Sequence, residues 1–362
     1  MPLSEHMKSP PCRHLPIFIL SQFITAFCLF AYIRLSKDPG QEVQAGQPST
    51  LTTQPVNNPT TPQPGSELTI LLWTWPFGQH AALRKCSKLL GIHDCHITAN
   101  RSWYLKADAV IVHHRDVCSS PKTLPEGPRP PSQRWIWFNL ESPTHSPNLG
   151  FMDNLFNLTM SYRRDSDIFT PYGWLEVLSQ PQNFSIPAKS KLVAWVVSNW
   201  NPDSRRVQYY EELKKYIHVD VYGRKHMSLP RDKQLSTLSQ YKFYLAFENS
   251  LHEDYITEKL WSNALGSGAV PVVSGPPREN YERFLPPDAF IHINDFPSAQ
   301  GLAQYLQELD KDLVRYQRYF QWRTWLNPSE RTYLAIHLCK ACQALQMTQT
   351  YQTRPALSKW FH

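Results

Sequence analysis

The 362-residue sequence predicts an α/β fold of two halves that face a central cleft, behind an N-terminal transmembrane anchor and a stem. Strand and helix patterns alternate in two successive runs, a charge-free apolar segment precedes them, and a Pro- and Thr-rich segment lies between. Strict alternation of strands and helices predicts parallel sheets with helices on both faces. Such sheets bind ligands outside the carboxyl ends of their strands, so functional residues are expected there.

The anchor is predicted from residues 15–33, which read LPIFILSQFITAFCLFAYI and contain no charged residue. At about 1.5 Å of helical rise per residue, this segment is long enough to cross a hydrocarbon core of about 30 Å. A cleavable signal peptide is the alternative, but its apolar region is usually shorter, and Arg34 and Lys37 follow instead of a small-residue cleavage site. We therefore predict a cytosolic tail over residues 1–14 and a signal-anchor helix over 15–35.

The stem is predicted over residues 36–66, which are rich in Pro, Thr, Gln and Gly and contain no aromatic residue. Such a segment has little apolar surface to bury and forms an extended tether. Anchor, stem and globular body, in this order, are the layout of a type II membrane protein with a lumenal body. Cleavage of so exposed a stem would release the body as a secreted form.

Sequons and cysteines agree with a lumenal body. Three N-x-S/T triplets predict N-glycosylation at Asn100, Asn157 and Asn183. The pair Cys339-x-x-Cys342 could be half of a zinc site, but the chain has no second C-x-x-C and no matching histidine pair. Two disulfides in an oxidising lumen are the better interpretation. The cysteines that follow the anchor are Cys86, Cys95, Cys118, Cys339 and Cys342, of which Cys118 would be left unmatched.

Charge and motifs argue against nucleic-acid binding and against common nucleotide-binding sites. The net charge of +7 arises from 37 Lys and Arg against 30 Asp and Glu, scattered along the chain. A charge this mild does not predict nucleic-acid binding, and it suits an anionic small substrate equally well. No G-x-G-x-x-G and no P-loop motif is present, which argues against dinucleotide and P-loop sites.

The two runs of elements are read from apolar periodicity. In the first run, strands are expected over residues 67–77, 108–114 and 134–141, with a helix over 80–91. In the second run, strands and helices alternate over residues 191–199, 203–217, 219–223, 232–241, 242–249, 254–265 and 269–273.

The most informative stretch is FENSLHEDYITEKLW, at the end of a predicted buried strand. A helix beginning near Asp254 or Tyr255 would direct its N-terminal N–H groups at an anion. Lys259 offers a point charge for phosphate, and Glu258 can accept from sugar hydroxyls. The alternative is a capped helix with a Glu/Lys surface pair.

Two metal signals are weak. The triplet Asp165-Ser166-Asp167 matches the D-x-D of some sugar transferases, but short matches are common. His113 and His114 have no evident third ligand. The sequence therefore predicts no metal site.

The chain resembles the α-(1,3)-fucosyltransferases of the vertebrate Golgi, in particular their Lewis/plasma-type subgroup. The resemblance covers residues 67–362 and rests on FENSLHEDYITEKLW, WIWFNLESPTH, YRRDSDIFTPYGWL, VVSNWNPDSRRVQYY and NYERFLPPDAFIHI. It implies a GT-B-like fold of two Rossmann-like domains. Residues 67–185 would bind the acceptor, and residues 186–362 would bind GDP-fucose, with C-terminal helices returning to the first domain.

The resemblance also implies an activity, namely inverting transfer of L-fucose from GDP-β-L-fucose to the GlcNAc of N-acetyllactosamine glycans on glycoproteins and glycolipids. The products would be Lewis x and sialyl-Lewis x type structures, made at the Golgi membrane. No metal cofactor would be obligatory, although a divalent cation could stimulate, and a homodimer is left open. A dual α-(1,3/1,4) enzyme and a catalytically silent lumenal glycan-binding protein are the alternatives.

Site residues are carried over position by position. Glu141, in FNLESP, matches the catalytic base, and Arg206 and Lys259 match the phosphate-binding pair. The resemblance further implies disulfides Cys86–Cys339 and Cys95–Cys342. The other donor-site candidates are Asn249, Tyr255 and Glu258, with Tyr222 and Asn199 as weaker ones.

The acceptor site is expected in the first half, in loops that resemble acceptor-site loops of the family. In relatives, an aromatic residue in place of Arg115 accompanies additional α-(1,4) transfer to type 1 chains. Arg115 here therefore implies α-(1,3) transfer to type 2 chains. The acceptor-binding candidates are Phe77, Gln79, His114, Arg115 and Asp116.

Overall fold

A computed structural model describes residues 67–330, 334–348 and 350–362. The predicted tail, anchor and stem lie outside these residues. Within the described part of the chain, no helix is long and apolar enough to cross a membrane. The described residues group into one compact unit, so the two predicted halves are packed against each other.

The described residues contain thirteen strands, most of them short. They are β1 (Leu68–Leu72), β2 (Cys95–Thr98), β3 (Ala109–His113), β4 (Arg134–Asn139), β5 (Leu158–Ser161), β6 (Ile168–Phe169), β7 (Gly173–Val177), β8 (Lys191–Val196), β9 (Asp220–Tyr222), β10 (Tyr241–Phe247), β11 (Val270–Ser274), β12 (Ile291–His292) and β13 (Leu326–Glu330).

Helices connect and cover these strands. The α-helices are α1 (Cys86–Leu90), α2 (His114–Val117), α3 (Arg205–Leu213), α4 (Gln234–Leu238), α5 (Arg278–Tyr281), α6 (Ala299–Lys311), α7 (Leu313–Arg318), α8 (Leu334–Met347) and α9 (Leu357–Phe361), and a π-helix spans Lys259–Leu265. Short 3₁₀ helices lie at Pro76–Gly78, Arg101–Trp103, Pro121–Thr123, Pro143–His145, Leu149–Met152, Arg231–Lys233, Ile293–Asp295 and Gln321–Thr324.

Two parallel sheets form the core of the described residues. The first has the strand order β2-β1-β3-β4-β5-β6, and the second has the order β12-β11-β10-β8-β9. Every neighbouring pair within these two sheets is parallel. Strands β3, β10 and β11 are buried almost throughout, as expected for sheets covered on both faces. The predicted α/β class is confirmed.

The C-terminal segment returns to the first sheet. Helix α8 packs against α1, β1 and β6. Disulfides Cys86–Cys339 and Cys95–Cys342 fix it there, with sequence separations of 253 and 247 residues. The chain-entropy model assigns a loop of this length about 5 kcal/mol of stabilisation. The implied cysteine pairing is therefore confirmed. Strand β13 also returns, pairing antiparallel with β7.

Two predicted helix starts are wrong. The helix expected over residues 80–91 begins only at Cys86. The chain is also not helical at Asp254 or Tyr255. A π-helix begins further on, at Lys259. Asp254 adopts a left-handed backbone with φ of 60°. Its N–H and carboxylate are hydrogen-bonded to Asn280, at 2.9 and 2.8 Å, which holds it in that conformation. No ligand is therefore assigned to a helix N-terminus here.

Candidate active site

The carboxyl ends of the two sheets meet through two loops. The β4 loop, residues 140–146, follows the first sheet's β4, and the β10 loop, residues 248–258, follows the second sheet's β10. Ser250 Oγ donates to Ser142 Oγ at 2.6 Å, and Thr144 Oγ1 lies 2.6 Å from His252 Nε2. A cavity of about 260 Å³ lies beside the contact. The two halves thus meet where the parallel sheets were expected to bind ligands.

An ion-pair cluster is buried in the β10 loop. Glu248 is 2% exposed and accepts hydrogen bonds from Thr257 N and Oγ1, each at 2.8 Å. Lys259 Nζ lies 3.2 Å from Glu248 Oε2 and 3.1 Å from Glu258 Oε1. Two carboxylates therefore hold one ammonium in place before any ligand arrives.

Burial and ion pairing oppose each other in this cluster. Burial alone would lower the pKa of Lys259, but Glu248 and Glu258 outweigh it and raise that pKa above its ordinary value. Burial likewise disfavours ionisation of Glu258, yet the Lys259 ammonium lowers the pKa of this carboxyl. Lys259 is charged at neutral pH, and Glu258 remains an ionised acceptor with 45% of its side chain exposed.

Arg206 supplies a second cation, from the first turn of α3. Its Nη2 donates to the Asn199 carbonyl at 2.6 Å, and Nη1 lies 3.5 Å from the Phe247 carbonyl. The residue is 7% exposed, and its Nε has no hydrogen-bond partner among the described residues. Burial lowers the pKa of Arg206, but a guanidinium remains charged at neutral pH. Asn199 thus contributes its backbone carbonyl, which positions Arg206.

Tyr255 lies between the two halves. It is 3% exposed, and its ring packs edge-on against Tyr162 and Tyr172 of the first half, at centroid distances of 5.1 and 6.4 Å. Burial raises the pKa of the Tyr255 phenol well above its usual value, and the carboxylates of Glu141 and Glu248 add to this. The hydroxyl therefore stays protonated and can donate.

Glu141 is held at the end of β4 by Asn139. The Asn139 side chain accepts from Glu141 N at 3.1 Å and donates to Ser146 Oγ at 2.8 Å. Tyr172 Oη donates to the Leu140 carbonyl at 2.6 Å, which fixes the residue before it. Glu141 is partly exposed, so its carboxylate is accessible to a ligand.

The predicted acceptor loops lie beside each other in the first half. Phe77 is 52% exposed and adopts φ of 56°, a strained backbone for a bulky residue. Its N–H donates to Asp116 Oδ1 at 3.1 Å, while Asp116 Oδ2 lies 2.8 Å from His113 Nδ1. Gln79 lies two residues further on and is exposed. Asp116 thus holds an exposed aromatic ring and its neighbouring histidine together.

One acceptor prediction, His114, needs correction, and a second, Arg115, has a contact that was not expected. The His114 side chain is completely buried and accepts from Trp137 Nε1 at 3.3 Å, so it packs inside the fold and cannot face a glycan. Arg115 donates to the His145 carbonyl at 3.1 Å, so this guanidinium braces the β4 loop. A role of Arg115 in acceptor specificity stays a prediction.

Other candidates are placed in structural roles. The Tyr222 hydroxyl is buried 2.7 Å from that of Tyr241, the first residue of β10, and so does not reach the Lys259 ion-pair cluster.

The three sequons differ in exposure. Asn100 and Asn183 are exposed. Asn157 is 1% exposed and accepts from Trp135 N at 2.7 Å, so in the folded chain its amide braces β4.

Both carboxylates of the D-x-D triplet form ion pairs with arginines. Asp165 pairs with Arg163 at 2.8 Å, and Asp167 pairs with Arg354 at 2.8 Å. The Asp167–Arg354 pair joins the first half to the C-terminal segment, whereas the Asp165–Arg163 pair is local. The triplet has a structural role in this arrangement.

Comparison with known proteins fits this geometry. The family model described as fucosyltransferase, N-terminal, matches residues 65–173, and the model described as glycosyltransferase family 10 (fucosyltransferase) C-term matches residues 186–360. The chain belongs to this fucosyltransferase family.

Relatives resemble this fucosyltransferase along nearly its whole length. The 3-galactosyl-N-acetylglucosaminide 4-alpha-L-fucosyltransferase FUT3 of Homo sapiens is 54% identical over 365 residues, 99% of each chain. The 4-galactosyl-N-acetylglucosaminide 3-alpha-L-fucosyltransferase FUT6 of Homo sapiens is 55% identical over 348 residues, 95% of this chain and 94% of the relative. A crystal structure of an alpha1,3-fucosyltransferase with GDP-fucose aligns with a TM-score of 0.53 and 17% identity, covering 84% of this chain and 96% of that one. It supports the GT-B-like α/β fold.

Some residues of the fucosyltransferase site were not predicted from sequence. Glu248 anchors Lys259, and Thr257 anchors Glu248, but buried polar partners leave no periodic signal. Tyr162 and Tyr172 surround Tyr255 from a distant part of the chain. Only the position of YRRDSD and PYGW within the family resemblance could have drawn attention to them.

Proposed function

We propose that this fucosyltransferase transfers L-fucose from GDP-β-L-fucose, in α-1,3 linkage, to the GlcNAc of type 2 N-acetyllactosamine glycans. The observation that carries the proposal is the contact between the two loops, which brings the loop of Glu141 against the loop that leads into the preformed Lys259 cluster. A base on one side and phosphate-binding cations on the other are what sugar transfer from a nucleotide diphosphate requires.

The proposed reaction is a single displacement with inversion. The acceptor O3 attacks the anomeric carbon of fucose, its proton passes to the Glu141 carboxylate, and the bond from that carbon to the β-phosphate oxygen breaks. GDP leaves with the electron pair. Lys259 and Arg206 would bind the diphosphate, with Asn249, Tyr255 and Glu258 around the rest of the donor.

Side-chain cations support a reaction without an obligatory metal. Lys259 and Arg206 are both held rigidly, so they can meet the charge that develops on the leaving diphosphate. A divalent cation would then stimulate at most. We infer that the donor binds to the second half and the acceptor to the loops around Phe77 and Asp116 in the first.

The dual α-1,3/1,4 specificity is the second candidate. It is favoured by the 54% identity to FUT3 of Homo sapiens, whose name describes a 4-alpha-L-fucosyltransferase. Arg115 favours the α-1,3 specificity, and its bond to the β4 loop supplies a route for its effect. Because the first 66 residues read as tail, anchor and stem, we place the enzyme in the Golgi membrane as a single-pass type II protein, acting on glycoproteins and glycolipids.

The test uses the full-length chain, purified in mild detergent, with GDP-fucose and matched type 1 and type 2 lactosamine acceptors. The assay is run in chelator, and then with added Mn²⁺. Transfer to type 2 alone, in chelator, is the expected result. Comparable transfer to both acceptors would favour the dual enzyme. Folded protein that binds GDP and transfers to neither acceptor would favour a silent glycan-binding protein.

A further inference from the structure

His145 occupies a position in the β4 loop that the roles above leave unused. It ends the 3₁₀ helix Pro143–His145, and its side chain is half-buried. The backbone carbonyl accepts from Arg115 Nη1 at 3.1 Å, and the ring Nδ1 lies 3.0 Å from Ser142 Oγ. Backbone and imidazole are therefore each fixed by a separate hydrogen bond.

A hydrogen-bond chain links this imidazole to the second half. The Ser250 hydroxyl lies 2.6 Å from Ser142 Oγ and 3.2 Å from Asn249 Oδ1, and it can donate to either. When it donates to Ser142, the single Ser142 proton is available to His145 Nδ1, 3.0 Å away. With Nδ1 as an acceptor, the ring proton lies on Nε2. Among the described residues, no group is hydrogen-bonded to that nitrogen.

The surroundings of the ring are those of the active site. Ser142, its partner, follows Glu141 directly, and Ser250 follows Asn249 and Glu248, the carboxylate that holds Lys259. Burial lowers the pKa of His145, the Glu141 carboxylate opposes this, and the cations of Arg115, Arg206 and Lys259 lower it further. A lowered pKa favours the neutral imidazole, which then carries one N–H donor near the proposed base and the proposed diphosphate-binding cations.

We propose that His145 is a further catalytic residue, whose Nε2–H donates a hydrogen bond to the diphosphate oxygen that leaves fucose. The inference rests on the proposed function. A fixed, neutral donor stabilises the charge that develops on the departing oxygen without adding another buried cation to the two already present. Ser142 and Ser250 then act as positioning residues, because they hold the imidazole in the donating tautomer.

The test compares His145→Ala and His145→Gln with wild type in the full-length enzyme. We expect His145→Ala to lower kcat about 100-fold, the typical loss for one such donor, and to weaken inhibition by GDP about tenfold. The acceptor KM should stay within twofold. His145→Gln carries an amide N–H close to the Nε2 position and should recover at least tenfold in kcat. His218→Ala removes an 89% exposed histidine and is the matched control, expected at wild-type rate.

Several outcomes would overturn the proposal. A kcat within threefold of wild type for His145→Ala would show that only the backbone carbonyl of this residue matters. A loss confined to the acceptor KM would place the ring on the acceptor side. His145→Gln that melts like wild type but is as slow as His145→Ala would exclude N–H donation. If wild type transfers no fucose, the proposed function fails. Titration calorimetry then tests His145 separately: equal GDP affinities of wild type and His145→Ala would reject the proposed contact between His145 and the diphosphate.

Discussion

The two sides of the active site are organised by different forces. On the proposed donor side, Glu248, Glu258 and Lys259 form ion pairs where the β10 loop meets the π-helix, before any ligand binds. On the proposed acceptor side, Phe77 adopts a strained backbone, its N–H donates to Asp116, its ring packs against His113, and it remains half exposed. The donor is common to every turnover and carries fixed charge, which rigid counter-charges recognise best. The acceptor is variable, and an exposed aromatic on a braced turn can adapt to it.

The largest expected effect falls between the two sides, at Glu141. Changing Glu141 to Gln removes the base and leaves the hydrogen bond from its N–H to Asn139 intact. General-base catalysis contributes about 10²–10⁴ in rate, so kcat should fall by that factor. GDP affinity should not change, because the donor cations are untouched. Radiolabelled fucose transfer and GDP calorimetry measure the two quantities separately.

Glu308→Gln is the control for this experiment. Glu308 is 65% exposed on α6, outside both loops of the site, so its replacement should leave transfer unchanged. Equal kcat for Glu141→Gln and wild type would remove Glu141 as the base and leave the acceptor proton without an assigned recipient.

The next prediction concerns Lys259, and it separates the effect of this residue on the free energy of unfolding from its effect on GDP binding. Lys259→Met leaves the Glu248 carboxylate buried without its cation, which typically costs about 3–5 kcal/mol. Adding Glu248→Gln removes the stranded charge and should restore most of the stability. Neither variant should bind GDP normally, since the ammonium is absent from both. Urea unfolding and GDP titration on the same preparations test this.

A double variant that binds GDP as wild type does would show that Lys259 serves only to neutralise Glu248. The preformed cluster would then be structural, and the contrast between the two sides would disappear.

A smaller effect is expected at Phe77 on the acceptor side. Phe77→Gly relieves the left-handed strain of a non-glycine residue, which costs about 1–2 kcal/mol. The variant should therefore be as stable as wild type or slightly more so, while the acceptor KM rises about tenfold through loss of the ring. Donor KM should stay constant. Unchanged acceptor KM would mean that the ring does not contact the glycan.

The predictions from sequence agree with the structure where a local pattern determines the conformation. They differ where residues distant in the chain determine it. The buried strands β3, β4, β8, β10 and β11 were readable from apolar runs, and the sheets follow from their alternation with helices. The helix expected from Asp254 failed because Asn280, 26 residues away, holds that residue in a left-handed backbone. Family resemblance predicted one site for Glu141, Arg206 and Lys259, but it could not show that Arg115 donates to the β4 loop and that His114 is buried.

The burial of His114 predicts a dependence of stability on pH. Burial, with help from the charges of His113 and Arg115, lowers the pKa of His114 to about 3, against about 6.5 in the unfolded chain. Between these values the unfolded state binds more protons, so the free energy of unfolding falls as pH decreases, by up to about 1.4 kcal/mol per pH unit. Above pH 6.5 this residue has no such effect.

His114→Asn should weaken that dependence, because the amide oxygen can still accept from Trp137 but does not titrate. Urea unfolding at pH 7.5, 6.0 and 5.0 measures it, with the exposed His218→Ala as control. The variant should be less stable than wild type at pH 7.5, and the difference should shrink as the pH is lowered. Parallel stability profiles would mean that His114 is accessible to protons in the native enzyme, which would restore it as a residue that faces the acceptor.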